Sequence, residues 1–167
     1  MFEQKGNNTI EDKNLPQIVG NLLIEKNISI ACAESCTGGM FAQTLTDISG
    51  ISAVFDRGIV TYSNKAKVEE LGVSEKTLER YGAVSRETAE EMAVGIRKAA
   101  NTDIGVSVTG VAGPGGGTDK KPVGLVYVCA TYKDSLICRE LRLEGDRANN
   151  RKNSMMNMFD LVNQLIK

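Results

Sequence analysis

The chain has 167 residues, 41% hydrophobic and 25% charged, ordinary proportions for a globular protein built on one hydrophobic core. Its 20 basic and 21 acidic side chains leave a formal charge of −1, which argues against the concentrated positive field that nucleic-acid binding requires. The chain has no histidine, so Ser-His-Asp and Cys-His catalysis, imidazole metal ligation and histidine general acid–base chemistry are excluded.

No apolar run reaches the ~20 residues that cross a bilayer. The N-terminal stretch MFEQKGNNTIEDKN is polar and lacks the apolar segment of a secretory signal. A cytoplasmic location with no membrane partner is therefore expected. In that compartment Cys32, Cys36, Cys129 and Cys138 are expected to be free thiols. Cys32-x-x-x-Cys36 has the wrong spacing for a thioredoxin-like pair, and no second cluster supports zinc.

In chain order, residues 1–13 carry no clear pattern and read as a loose tail. Leu15, Ile18, Val19, Leu22 and Leu23 recur at helical spacing and predict a helix over 15–26, with Asn14 as its cap and Pro16 in the first turn. ISIACA (28–33) reads as a buried strand, followed by a helix from about Gly39 to Thr46. A second strand is expected over 55–62, then helices over 64–71 and 74–80. Ser85 can cap a long helix over 86–100 whose apolar face includes Ala89, Met92, Ala93 and Ile96. A strand over 104–108 gives way to Thr109-Gly110-Val111-Ala112-Gly113-Pro114-Gly115-Gly116-Gly117, which reads as loop throughout. Two strands, 123–132 and 136–143, form an expected hairpin through Lys133-Asp134. A closing helix over 149–166 carries Met155, Met158, Phe159, Val162 and Ile166 on one side. Alternating elements followed by adjacent strands favour an α/β fold with a mixed sheet covered by helices on both faces.

Ser35 follows a predicted buried strand and precedes a helix, the place where open α/β sheets bind ligands. The amides of Thr37, Gly38 and Gly39 are expected to be free there, able to hold a phosphate or the oxyanion of an acyl transfer. The alternative is that Ser35 or Thr37 merely caps the helix. Thr61-Tyr62-Ser63-Asn64-Lys65-Ala66-Lys67 places ionisable groups at the end of the next strand. A histidine-free serine hydrolase needs another base, and a desolvated lysine beside a tyrosine can supply it. The residues alone do not choose between Lys65 and Lys67. The glycine-rich stretch matches neither a Walker loop nor a dinucleotide fingerprint. Gly145-Asp146-Arg147 offers a planar cation suited to phosphate or carboxylate. Cys36 is a rival nucleophile that lacks a histidine to activate it.

Taken together, Ala33-Glu34-Ser35-Cys36-Thr37-Gly38-Gly39, the segment from Gly58 to Lys67, Gly82-Ala83-Val84-Ser85, Thr109-Gly110-Val111-Ala112-Gly113-Pro114, Lys121-Pro122-Val123-Gly124 and Gly145-Asp146-Arg147 resemble the CinA C-terminal domain family. The resemblance runs from about Leu15 to the C-terminus. It implies a single domain over 15–167 with a three-layer α/β/α sandwich. It also implies hydrolysis of the carboxamide of nicotinamide mononucleotide (NMN) to the acid and ammonia, without metal or other cofactor. By that resemblance Ser35 is the nucleophile, and Lys67 and Tyr62 serve proton transfer. Thr109 and Arg147 match family positions that help bind or orient the substrate, and Thr37, Gly38, Gly39 and Gly110 are further expected substrate-binding positions. Gly115 stands where many relatives carry an acidic residue. Many CinA proteins also have a large N-terminal domain, whose activity is not carried over. The other class of function is a nucleotide-binding or competence-related regulatory module without turnover. A homo-oligomer is expected, a dimer being the commonest symmetric form.

Overall fold

The computed structural model describes residues 9–10 and 12–167. The loose tail expected over 1–13 therefore lies mostly outside the described residues. Five strands form one sheet in the order β2-β1-β3-β4-β5, with β1 Ile30–Glu34, β2 Phe55–Val60, β3 Ile104–Gly110, β4 Leu125–Tyr132 and β5 Ser135–Arg142. Strand β1 runs parallel to both β2 and β3, whereas β4 and β5 join antiparallel. Helices α1 Leu15–Lys26, α2 Met40–Thr46 and α6 Arg147–Ile166 cover one face. The other face carries α3 Asn64–Leu71, α4 Glu75–Tyr81 and α5 Arg86–Ala100. This is the expected α/β/α sandwich with a mixed sheet. No helix among the described residues is long and apolar enough to cross a membrane.

The period of two along β1 divides its side chains between the layers. Ile30 and Cys32 enter the large core beneath α1, α2 and α6, while Ala31 and Ala33 face the smaller core beneath α5. Continued by two residues, the alternation sends Glu34 toward α2 and Ser35 toward α3. The chain leaves β1 to build β2 on one side and later returns to build β3 on the other. The carboxyl end of β1 is thus the switch point at which such sheets bind ligands.

Several local expectations needed correction. Asn14 makes no side-chain capping bond to α1. Ile18 is 42% exposed, at the margin of the buried stripe that Leu15, Val19 and Leu23 define. Thr109 and Gly110, read as loop, complete β3 and pair with Tyr127 and Val126. A Cβ on Gly110 would lie 2.6 Å from the Val126 side chain, so glycine here serves close strand approach rather than a turn. Strand β4 starts at Leu125 because Gly124 has φ +89°, outside the strand region. The expected hairpin through Lys133-Asp134 is present, with Tyr132 opposite Ser135. It also overturns one expectation about thiols: Cys129 and Cys138 stand directly opposite in the β4–β5 register and are joined by a disulfide. Cross-strand pairing, invisible in a separation of nine residues, brings them together. Cys32 and Cys36 are free and buried, as expected.

Helix α3 reaches α5 through a glycine. A Cβ on Gly95 would lie 2.0 Å from the Leu71 carbonyl oxygen, so the two helices touch backbone to side-chain-free backbone. Alanine would gain about 1 kcal/mol in helix propensity but overpack a rigid backbone contact at a cost of roughly 1–3 kcal/mol. Gly95→Ala should therefore lower stability by up to about 2 kcal/mol in urea unfolding. An increase in stability would show that the helices have room to spare.

Candidate active site

Ser35 and Lys67 meet at the end of β1. Lys67 Nζ lies 3.2 Å from Ser35 Oγ and donates to the Thr61 carbonyl oxygen at 2.7 Å. Lys67 is only 1% exposed and Ser35 8%. The geometry follows from the local chain. Thr61 N–H continues the β1–β2 ladder by donating to the Glu34 carbonyl, which fixes the end of β2 beside Ser35. Ser63 then starts α3 by accepting from Ala66 N–H, and the next turn carries Lys67 inward. Two residues earlier, Lys65 points outward, with 80% of its side chain exposed and Glu69 at 3.7 Å. The choice between the two lysines is thus made by helical phase. Burial lowers the Lys67 pKa below the ordinary lysine range, with a smaller opposing influence from the nearby Cys36 sulfur.

A neutral lysine amine has two N–H donors and one lone pair. With one N–H given to the Thr61 carbonyl, the lone pair can accept the Ser35 hydroxyl proton, as a general base for a serine nucleophile must. Cys36 is unsuited to that role. Burial, with the charge of Glu34 adding to it, pushes its thiol up to about 12, so the reactive thiolate is scarce.

The amides of Gly38 and Gly39, expected to be free, are occupied. Gly38 N–H donates to the Ser35 carbonyl at 3.1 Å, and Gly39 N–H to Glu34 Oε2 at 3.1 Å. The buried Glu34 carboxylate also accepts from Thr37 Oγ1 at 2.5 Å, Phe41 N–H at 3.2 Å and Ala42 N–H at 2.9 Å. It neutralises the donors that open α2, leaving that helix end unable to hold an anion. Among the described residues, the Thr37 amide has no hydrogen-bond acceptor.

Of the remaining expected positions, Arg147 and Tyr62 meet, while Thr109 and Gly110 lie at the end of β3. Arg147 opens α6, and its guanidinium donates to the Gly113 carbonyl at 2.7 Å and reaches the Tyr62 hydroxyl at 3.4 Å. Tyr62 is 64% exposed, and among the described residues no hydrogen bond joins it to Ser35 or Lys67. Thr109 is buried and donates to the Ala83 carbonyl at 2.8 Å, tying β3 to the segment before α5. Gly110 sits in the β3–β4 ladder beside it.

Sequence reading assigned no role to Glu34, Asn150 or Arg151. Asn150 accepts from Gly145 N–H and donates to the Ala112 carbonyl. Arg151 donates to the carbonyls of Cys36 at 3.1 Å and Thr37 at 2.8 Å. Arg151 lies one helical turn beyond Arg147, and that i,i+4 spacing was the available signal. Two clefts, of 630 Å³ between α3 and α5 and 640 Å³ near the start of α1, lie elsewhere and contain neither Ser35 nor Lys67. The buried amine beside a hydroxyl is the more specific mark of a functional site.

The lowered Lys67 pKa carries a sign for stability. Between its folded value and the ordinary ~10.4, the unfolded chain binds a proton that the folded chain does not. Folding stability should therefore climb with pH across that window. Urea unfolding of the wild type, compared with Lys67→Met at successive pH values, should show the wild type gaining relative to the variant as pH rises toward 10.4. A pH-independent difference would mean that Lys67 titrates as an ordinary lysine.

A family model, the CinA C-terminal domain, matches residues 12–166. A competence-damage inducible protein of Acetivibrio thermocellus is 56% identical over 156 residues, which cover 93% of this chain and 38% of that protein. Its counterpart in Clostridium acetobutylicum is 52% identical over 157 residues, covering 94% and 38%. The chain thus spans 38% of the length of these curated relatives. Among solved structures, competence/damage inducible protein CihA from Agrobacterium tumefaciens matches with a TM-score of 0.90 at 39% identity, over 92% of this chain and 94% of that one. A CinA superfamily protein from Escherichia coli matches with a TM-score of 0.87 at 33% identity, over 92% and 89%. With the family model matched across almost the whole chain, the protein belongs to the CinA C-terminal domain family.

Proposed function

We propose that the protein is an amidohydrolase that converts NMN to nicotinic acid mononucleotide and ammonia, with Ser35 as nucleophile and Lys67 as base. The observation that carries this reading is the buried Lys67 Nζ placed 3.2 Å from Ser35 Oγ. Burial lowers the Lys67 pKa, which shifts it toward the neutral amine that a base requires. The substrate comes from the family resemblance and from the exposed Arg147 and Tyr62 nearby, which suit an anionic group and a planar ring.

The reaction then runs in two halves. Lys67 takes the Ser35 proton as Oγ attacks the carboxamide carbon, and the carbonyl oxygen becomes an oxyanion. Lys67 returns that proton to the departing nitrogen, the C–N bond breaks, and ammonia leaves an ester on Ser35. Lys67 next takes a proton from water, whose oxygen attacks the ester carbon. The C–O bond to Ser35 breaks, Oγ recovers the proton, and the acid departs. Tyr62, exposed and bonded to Arg147, orients the substrate or relays the proton between bulk water and the pair.

Ammonia release from NMN by metal-free protein is the test. Ser35→Ala should abolish it, and Lys67→Met should lower kcat by roughly 10²–10⁴-fold, the contribution of one proton-transfer group. Lys67→Arg should fare no better, since a guanidinium stays protonated. The wild-type rate should rise with pH through the lowered Lys67 pKa. Binding of NMN without ammonia release would instead favour the regulatory module, and release from nicotinamide or its riboside alone would move the substrate.

A further inference from the structure

The buried clamp around the turn that follows Ser35 has no part in the mechanism above, and its geometry is specific. In a trans peptide the C=O and N–H point in opposite directions, so holding one carbonyl aims the next amide. The Ser35 carbonyl is held by Gly38 N–H at 3.1 Å, which fixes the direction of the Cys36 amide. The Cys36 carbonyl is held by Arg151 Nε at 3.1 Å, which fixes the Thr37 amide. A second Arg151 nitrogen holds the Thr37 carbonyl at 2.8 Å. From the other side, Glu34 anchors the Thr37 hydroxyl at 2.5 Å and three amides of the same segment.

We infer that Glu34 and Arg151 are positioning residues that aim the amides of Cys36 and Thr37 as the oxyanion-binding donors of the Ser35 reaction. This rests on the acyl-transfer reading of Ser35, and it relocates the oxyanion site from the α2 terminus, whose donors Glu34 consumes, to the turn before it. The amide of the residue after the nucleophile lies within reach of the developing oxyanion by chain connectivity alone. Two clamps, one from α6 and one from the end of β1, keep the turn from relaxing, which is the preorganisation that makes such donors effective. Neither side chain touches the reacting atoms. Arg151, on α6, and Glu34, on β1, thereby couple the two halves of the chain at one turn.

The test measures ammonia release and, separately, the rate at which Ser35 reacts with a fluorophosphonate. In the labelling step a Ser35 Oγ–P bond forms, fluoride leaves, and Lys67 takes the proton, so the readout does not depend on NMN being the substrate. Glu34→Gln places an amide where only acceptors fit, and Arg151→Met removes a half-buried clamp with less risk to folding. Thermal melting shows whether each variant is folded. Both should lose kcat on the order of tenfold to hundredfold, short of the roughly 10²–10³-fold cost of deleting an oxyanion donor outright, with KM unchanged. Both should also label more slowly than the wild type. Should Arg151→Met raise KM and leave kcat and labelling intact, the guanidinium binds substrate and the positioning role is overturned. Labelling of both variants at the wild-type rate overturns the inference while leaving Ser35 as nucleophile. A wild type that labels at Ser35 yet releases no ammonia from NMN refutes the substrate alone, and slower labelling of both variants still upholds the positioning role. Failure of the wild type to label at Ser35 overturns both readings.

Discussion

A lysine that keeps only 1% of its surface in water imposes conditions on everything around it. Desolvation penalises its ammonium form and lowers its pKa, and the buried nitrogen must be given partners. The Thr61 carbonyl and the Ser35 hydroxyl are those partners. Their placement depends in turn on backbone features. The end of β2 is registered against β1, and the side-chain-free contact between Gly95 and Leu71 lets α3 settle closely onto α5. A change in any of these would move the amine relative to the hydroxyl before it disturbed the rest of the sheet.

The pleat of β1 separates two electrostatic tasks that would interfere if they shared a face. Glu34 points into the layer of α2 and α6, where its negative charge is satisfied by a hydroxyl and three amides. Ser35 points into the layer of α3, beside Lys67, whose proposed role as base requires the neutral amine. Had both residues faced the same side, a carboxylate next to Lys67 would have favoured the ammonium and removed the base. Cys36 sits between these environments, and burial with the nearby carboxylate keeps it a thiol. In the proposed reaction, the preference for Ser35 over Cys36 thus follows from strand parity as much as from residue type.

Much of this was legible in the sequence, for identifiable reasons. Helical spacing in α5 and α6 and the apolar runs of β1, β3 and β4 are local patterns, and they predicted those elements closely. A chain without histidine must draw its base from another residue type, which makes lysine a candidate from sequence alone. What stayed hidden depends on three-dimensional neighbours. Lys65 and Lys67 differ only in helical phase against a partner layer. The Cys129–Cys138 disulfide requires the β4–β5 register, and the occupied amides of Gly38 and Gly39 require a glutamate whose direction the pleat decides. Arg151 acts across 115 residues of sequence, on carbonyls that no motif marks as needing a donor. Thr109 and Gly110 were misread because glycine in a strand and glycine in a loop look alike until the neighbouring strand is placed.

The proposal that Ser35 forms an acyl intermediate in a Lys67-activated attack is open to direct observation. Acid quenching of the wild type during turnover of NMN, followed by peptide mass mapping, would trap any ester. The account predicts a nicotinoyl-nucleotide adduct on the peptide containing Ser35, accumulating before steady state and absent from Ser35→Ala. Turnover with no adduct, or with the adduct on Cys36, would contradict it.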